Sequence, residues 1–443
     1  MENKFYFDRP ETRAKILELF FIDNSASWQK VLTPLWVVKE MLDLIQDTPE
    51  LLYIVLFNIE FLEELIYAKG VEPKRIMFMA GNKYKAALAM GMYGVKTFEL
   101  PVEFREPKIA IEKTLEKISK AFYGGIMPVT NNIIVFGNPP YQSEDGGFGK
   151  SAMPIYHHFV EAVIDHIAPR YLSFIVPSRW MAGGRGLDKF RERMMEDKHL
   201  KIIKHFSGEG DIFKDVSIKG GVNYFLWDRE GKGKCNFNGH YRYLNEYDII
   251  LSENEAVSIL DKILASHKGI YLNSKCLPSK PFGLRTFFVD WKKTGTPCYS
   301  RGHEKHFVDP SAYTDEDKVI NLWKVGCAKT TIEGADFNGD QRKYINGGFI
   351  IEPGAICTET YIVINTFKTE KEAINFIAYA KTIFFRFLLG LRTITQDITR
   401  ERFTWVPDLG PYNKVWTDAD LYKRFKLTPK EIAYIESKIK PIG

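Results

Sequence analysis

Asn138-Pro139-Pro140-Tyr141 is the stretch of this chain whose residue types and order point most directly to chemistry. It directly follows NIIVFG (132–137), an apolar run with the composition of a buried strand. Two prolines just past such a strand fix the backbone as an extended, rigid rim, and in open α/β sheets ligands bind outside the carboxyl ends of strands. An asparagine side-chain oxygen and a neighbouring proline carbonyl can together accept both hydrogens of an exocyclic amine. A tyrosine offers a flat face to an unstacked base. The set suits adenine N6, whose lone pair is delocalised into the ring and must be steered outward before it can attack an electrophilic methyl group. No general base is required at the attack, because the methylated nitrogen becomes acidic and releases its proton afterwards. The competing reading, a rigid turn without a ligand, is disfavoured by the position after a strand.

The surrounding elements would form one layered unit. Thr33-Pro34 opens WVVKEMLDLIQ, a helix with Val37, Val38, Met41, Leu42 and Ile45 at helical spacing. LLYIVLF (51–57), FLEELIYAKG (61–70), RIMFMAG (75–81), KAALAMGMYG (85–94) and VKTFEL (95–100) then alternate strand and helix. A helix over 107–122 precedes NIIVFG, another over about 155–168 follows it, and YLSFIVPS (171–178) and GVNYFLW (221–227) add strands. Strands apolar throughout and separated by helices predict a mostly parallel sheet covered on both faces. This α/β unit is expected over 33–240, after an N-terminal helical arm over 1–32.

Residues 241–443 lose the βα period and predict an α+β second domain with a helical C-terminal segment. They begin with an acidic helix around ENEAVSILDKIL, pass through Gly- and Pro-punctuated segments, and reach a long helical stretch over about 371–390. Thr428, Pro429 and Glu431 then have the spacing of a helix N-cap with a capping box.

Composition excludes several classes. With 443 residues, 45% hydrophobic and 26% charged, the chain is neither disordered nor an apolar membrane protein. The formal net charge of +5 names no partner by itself. Cys235, Cys276, Cys298, Cys327 and Cys357 are widely spaced with no CxxC pair, which speaks against a disulfide framework and a Cys-based zinc module. A reducing, cytoplasmic setting is expected. His303-x-x-His306 with Glu304 lacks a third ligand, so no metal is expected. The N-terminus does not read as a signal peptide, no apolar run approaches the length of a membrane span, and no membrane partner is expected. No GxxxxGK[ST] sequence is present, which argues against a P-loop ATPase.

On these segments the chain resembles the amino-group DNA methyltransferases, in particular the adenine-N6 methylases of type II restriction-modification systems. The likeness rests on the NPPY tetrapeptide and on Thr33-Pro34 before a helix. It extends through SAMPIYHHFVEAVI (151–164), YLSFIVPSRWMAGGRGLDKFR (171–191), FKDVSIKGGVNYFLWDR (213–229) and the closing segment 403–439. It implies a Rossmann-like methyltransferase fold with a mostly parallel sheet, plus an α+β target-recognition domain. The implied reaction moves a methyl group from S-adenosylmethionine to N6 of a flipped adenine. The implied partners are double-stranded DNA and a homologous methyltransferase or restriction subunit. By the resemblance, Asn138, Pro139, Pro140 and Tyr141 hold the adenine, and Ser178 and Arg179 line the target-base side. Gly183-Gly184-Arg185 and Lys219-Gly220-Gly221 make two basic corners within reach of phosphate.

The departures from that family are specific. Its members follow the first strand with an acidic, Gly-rich turn, whereas LLYIVLF here runs into Asn58-Ile59-Glu60-Phe61. The second strand ends in Gly81-Asn82 where an acidic residue is usual. A divergent cofactor pocket would use Thr33, Pro34, Asn58, Glu60 and Asn82. The missing glycines also support a second reading, a non-catalytic DNA-binding subunit. A third is an RNA adenine or protein glutamine methyltransferase, since the clamp recognises a planar amine or amide. In the second domain, 278–295 interleaves Lys280, Arg285, Lys292 and Lys293 with Phe282, Phe287, Phe288 and Trp291, as a nucleic-acid surface requires. The segment 382–403 offers Arg386, Arg392, Arg400 and Arg402, with Arg392 expected at phosphate.

Overall fold

The computed structural model describes residues 32–100, 108–109, 111–116, 132–142, 153–208, 211–213, 218, 220–332, 341–393 and 396–442. The expected N-terminal arm, Lys219 and much of the expected helix over 107–122 lie outside the described residues. Two compact units are present, the first ending at Ser252 and the second beginning at Glu253, twelve residues beyond the boundary expected from composition.

In the first unit α1 (Leu35–Asp43) leads into β1 (Leu52–Leu56), α2 (Ile59–Glu63), β2 (Ile76–Ala80), α3 (Lys83–Tyr93) and β3 (Lys96–Glu99). After β4 (Ile133–Gly137) come α4 (Tyr156–Ala162), β5 (Tyr171–Pro177), α5 (Asp188–Glu196), β6 (Leu200–Phe206) and β7 (Val222–Asp228). A short pair, β8 (Cys235–Phe237) and β9 (His240–Arg242), extends the same sheet past residue 240. Among the described residues the strands of this sheet lie in the order β3-β2-β1-β4-β5-β7-β6-β8-β9. From β3 to β5 every pairing is parallel, while β7 runs antiparallel to both its neighbours.

Both faces of the central strands are apolar because helices cover both. Ile54, Leu56, Met79 and Val135 share one core with Tyr156 and Phe159 of α4 and Phe190 of α5. Their neighbours Tyr53, Val55, Phe78 and Phe136 point to the other face, against Val37 and Met41 of α1 and Phe61 and Leu62 of α2. The period of two in a strand thus yields an unbroken hydrophobic run. Full burial of each such side chain contributes roughly 1.5–3 kcal/mol.

The second unit is α+β. It contains α6 (Asn254–Ser266), β10 (Thr296–Tyr299), β11 (Lys305–Val308), β12 (Trp323–Ala328), β13 (Phe349–Ile351), β14 (Ile356–Cys357) and β15 (Tyr361–Phe367). The helices α7 (Glu370–Lys381), α8 (Ile383–Arg392), α9 (Asp418–Arg424) and α10 (Pro429–Lys438) follow. Two three-stranded sheets form, ordered β11-β10-β14 and β13-β12-β15. The single helix expected over 371–390 is instead α7 and α8, bent by 68°. Thr382 breaks it by capping α8, its hydroxyl accepting from the Phe385 amide. The expected capping box of Thr428 and Glu431 is present at α10. Lys324 on β12 is fully buried, and its Nζ donates to the carbonyls of Ile320 (2.9 Å), Leu322 (2.7 Å), Glu352 (3.3 Å) and Val319 (3.4 Å). All five cysteines are buried and free. Among the described residues no single helix is long and apolar enough to cross a membrane.

Candidate active site

Strands β1 and β4 are parallel neighbours, with Leu56 opposite Gly137 at their carboxyl ends. Chain order runs outward in both directions from this pair, toward β2 and β3 on one side and β5 on the other. Such a switch point opens a crevice at the strand ends, and the tetrapeptide begins at the first residue past β4. The approach is close: a Cβ on Gly137 would lie 2.9 Å from the Leu56 carbonyl oxygen and 3.0 Å from its Cβ. Gly137 was not singled out from sequence, although a glycine ending an apolar strand is the signal of a close approach.

A short hydrogen-bonded chain joins three segments at this rim. Asn58 stands at the N-cap of α2 but makes no side-chain cap bond. Its carboxamide oxygen instead accepts from the Asn138 backbone N–H at 3.0 Å. The Asn138 Nδ2 donates to the Thr33 hydroxyl at 3.3 Å, and the Thr33 N–H donates to Glu60 Oε1 at 2.6 Å. Thr33 and Glu60 are both buried. With its nitrogen engaged by Thr33, the Asn138 carboxamide keeps Oδ1 as the acceptor on its other side. Pro139 and Pro140 are buried, and the Tyr141 carbonyl accepts from the Ile155 amide at 3.1 Å. The Tyr141 ring meets Tyr156 and Phe213 edge-on, with centroids 6.4 and 6.3 Å away. Burial pushes its phenol well above the usual range, so it stays protonated. The buried Tyr141 hydroxyl has no partner among the described residues.

The turn after β1 differs from the glycine-rich pattern. Phe57, between β1 and Asn58, adopts φ 67°, the left-handed region that favours glycine. Its amide donates to the Met79 carbonyl at 2.9 Å, and its ring meets Phe159 edge-on at 5.5 Å. The backbone therefore takes a glycine-like path without a glycine, at a cost of roughly 1–2 kcal/mol. Thr33, Asn58, Glu60 and Asn138 are brought together, with Pro34 next in chain. Asn82 stands just past β2, but its carboxamide oxygen caps α3 by accepting from the Lys85 amide at 2.9 Å.

Several expected contacts turn inward. Ser178 is buried, and Asn223 Nδ2 donates to its hydroxyl at 3.1 Å. The same hydroxyl lies in hydrogen-bond contact with His205 Nδ1, 2.8 Å away, so both of its neighbours are groups of the protein interior. Gly221 has φ 74° and its carbonyl accepts from the Ser178 amide at 2.9 Å. The corner expected at phosphate is thus a structural turn where it is described, while Lys219 falls outside the described residues. Arg179 is half-buried, and Arg185 is exposed in a turn whose glycines, Gly183, Gly184 and Gly186, all have positive φ. In the second unit Arg392 is buried with its guanidinium 4.5 Å from the Trp405 ring centroid. Arg386 is buried too and donates to the carbonyls of Lys381, Thr382 and Lys440. The α8 part of the 382–403 segment is accordingly core, because that helix packs nearly all round, whereas Arg400 farther along is exposed. Lys280, Arg285, Lys292 and Lys293 are exposed. His306 stacks on Trp291 at 4.3 Å, and no group of three or more His, Cys, Asp or Glu suited to a metal occurs among the described residues.

Two histidines give the first unit a pH signature. Burial, above all, lowers His205 to about 4 and His157 to about 4, the latter also opposed by the adjacent His158. Both folded values lie below the unfolded value near 6.5, so the unfolded chain binds more protons as pH falls from 6.5 toward 4. Stability is full above that window and is lost within it, at up to about 1.4 kcal/mol per pH unit for each histidine. Denaturant midpoints measured at pH 7, 6 and 5 should fall steadily, and His205→Gln should remove about half of the slope. An unchanged slope in that variant would exclude His205 as a cause.

Residues 112–213 match the Eco57I restriction-modification methylase family. This Eco57I-type segment contains the NPPY tetrapeptide, β4, α4, β5 and β6. An uncharacterized adenine-specific methylase of Mycoplasma pneumoniae is 35% identical over 108 residues, covering 24% of this chain. The chain spans 25% of that relative's length. Among solved structures, the type IIL restriction-modification enzyme MmeI matches with a TM-score of 0.41 and 12% identity, covering 97% of this chain and 76% of that one. The type IIG restriction endonuclease BpuSI matches with a TM-score of 0.39 and 12% identity, covering 89% of this chain and 60% of that one. The resemblance to adenine-specific methylases read from sequence is upheld in the Eco57I-type segment. The strand order with its reversed β7 is the expected Rossmann-like methyltransferase fold.

Proposed function

We propose that this protein transfers a methyl group from S-adenosylmethionine to N6 of an adenine flipped out of double-stranded DNA. The observation that carries the reading is the placement of Asn138 at the β1/β4 switch point, with its backbone held by Asn58 and its side-chain nitrogen by Thr33. That hold orients Oδ1 to accept one N6 hydrogen, and the Pro139 carbonyl accepts the other. The face of Tyr141 supports the extruded ring, whose unstacking costs a few kcal/mol. Aligned this way, the N6 lone pair would point at the electrophilic methyl that the bound group supplies, and N6 would afterwards release its proton to water. Positioning supplies most of the rate.

The residues present suit the cofactor. The left-handed turn at Phe57 gives a backbone path that glycine favours, and Glu60 offers a buried carboxyl beside Thr33 that would suit a cationic group. Thr33, Pro34, Asn58 and Glu60 would hold S-adenosylmethionine, with Asn82 at the next strand end, and the bound group would supply the electrophilic methyl. Arg179 and Arg185 would serve the target side. The second unit would select the DNA sequence, with Lys280, Arg285, Lys292 and Lys293 on phosphates.

The test is incubation with methyl-labelled S-adenosylmethionine and separate unmethylated DNA, RNA and protein pools. Label is expected in DNA, recovered as N6-methyladenine. Label confined to RNA or protein would transfer the reading to those substrates. Absence of S-adenosylmethionine binding by calorimetry would leave the non-catalytic DNA-binding subunit.

A further inference from the structure

One stretch of the second unit carries a dense local surplus of cations. Residues 275–305 hold seven Lys and Arg against two Asp and Glu, a surplus equal to that of the whole chain. Within this stretch two apolar side chains stand almost wholly in water: Phe287 is 87% exposed and Val289 is 83% exposed. Singly exposed apolar residues are common on protein surfaces, but a phenylalanine this exposed, in a cationic segment, is not.

The loop that presents them is fastened from beneath. Phe288 and Trp291 pack against the core of the second unit and meet edge-on at 4.9 Å. Trp291 stacks on His306 at 4.3 Å, and the Lys292 amide donates to the Phe307 carbonyl at 2.8 Å. The Phe288 amide donates to the Arg285 carbonyl at 3.1 Å, closing a turn around Phe287. Anchored Phe288 and Trp291 thus alternate with outward Phe287 and Val289, which fixes the tip instead of letting it collapse onto the core. Arg285 precedes the tip, Lys292 and Lys293 follow it, and all three are exposed, Lys292 in an ion pair with Asp290 at 2.6 Å.

We propose that Phe287 and Val289 form an apolar wedge that inserts between stacked bases of a DNA duplex, with Arg285, Lys292 and Lys293 on the flanking phosphates. The inference rests on the DNA reading above and adds to it a contact that reads deformability rather than base edges. Apolar side chains inserted at a base step partly unstack it and kink the duplex, and the cations compensate by following the bent backbone. A charged patch alone would have no use for the exposed ring, and an apolar protein partner would not call for the surrounding surplus of positive charge.

Duplex binding by the full chain, followed by fluorescence anisotropy over a range of salt concentrations, tests this. Phe287→Ala should weaken binding by about tenfold or more, the scale of one lost base–aromatic stack, without changing the slope of log affinity against log salt. Phe287→Trp should restore affinity and show indole quenching on duplex. Phe287→Lys discriminates most sharply: a purely electrostatic patch would bind more tightly with the added cation, whereas a wedge binds more weakly. Arg285→Ala and Lys293→Ala should each flatten the salt slope by about one unit. Parental affinity in Phe287→Ala, tighter binding in Phe287→Lys, or a self-association that Phe287→Ala abolishes with DNA binding intact would each overturn the wedge. If the parent methylates and binds duplex while Phe287→Ala behaves identically, only the wedge fails; if the parent binds no duplex, the DNA reading fails with it.

Discussion

An Asn138→Ala variant is expected to methylate DNA adenine about a thousandfold more slowly than the parent, with duplex affinity within a few-fold. The size follows from what is removed. A preorganised hydrogen-bonding group aimed at the reacting atom is worth about 10²–10³ in rate, and here the same side chain also binds Thr33. Asn138 is half-buried at the rim and its backbone bond to Asn58 does not depend on its side chain, so the fold should survive. Single-turnover methylation with saturating duplex and S-adenosylmethionine reads the chemical step, and anisotropy reads binding. Asn138→Asp keeps an acceptor of the same shape but loses the donor to Thr33, and should fall between parent and alanine. Normal single-turnover rates in Asn138→Ala would remove the tetrapeptide from the chemistry.

The second large effect concerns stability. Gly221→Ala should destabilise the first unit by about 4 kcal/mol or more, lowering soluble yield and the denaturant midpoint. A Cβ at Gly221 would lie 2.0 Å from the Phe206 carbonyl oxygen, a backbone atom of β6 that cannot swing aside. Overpacking of this kind costs about 1–3 kcal/mol or more, and the φ of 74° adds roughly 1–2 for any side chain. The neighbouring Gly220 also has positive φ, 86°, but a Cβ there meets nothing within 4 Å, so Gly220→Ala should cost only the backbone share. Chemical denaturation of the two variants side by side checks this. Equal, small losses, with weakened DNA binding in both, would return the corner to the phosphate-contact role expected from sequence.

How much was legible follows from what one chain can encode locally. β1, β2, β4 and β5 announced themselves because burial on both faces demands uninterrupted apolar residues. β6, LKIIKHF, was passed over: its lysines Lys201 and Lys204 and its mixed burial suit a position nearer the sheet margin, and a template of fully apolar strands misses that pattern. The break at Thr382 was hidden inside continuous helical periodicity, since only the hydroxyl bond to Phe385 marks it.

The site shows the same division. NPPY was readable because its residues act where they stand. The partnership of Asn58 with Asn138, eighty positions apart, was not, and neither was the inward commitment of Ser178 to His205 and Asn223. Arg392 and Arg386 misled for a related reason: their cationic heads suggest solvent, yet one lies over Trp405 and the other satisfies backbone carbonyls. The absence of glycine after β1 suggested an altered turn, whereas Phe57 bears the strained conformation itself.

The Lys324 ammonium is held as a coordinated ion would be. Four carbonyl oxygens from Val319, Ile320, Leu322 and Glu352 converge on one cationic nitrogen in the interior of the second unit, the arrangement by which proteins often hold a small hard cation. Here the ion is tethered to the chain by its own side chain. Chelators and dialysis therefore have nothing to extract, and a Lys324→Met substitution would leave the four carbonyls facing one another without their shared donor.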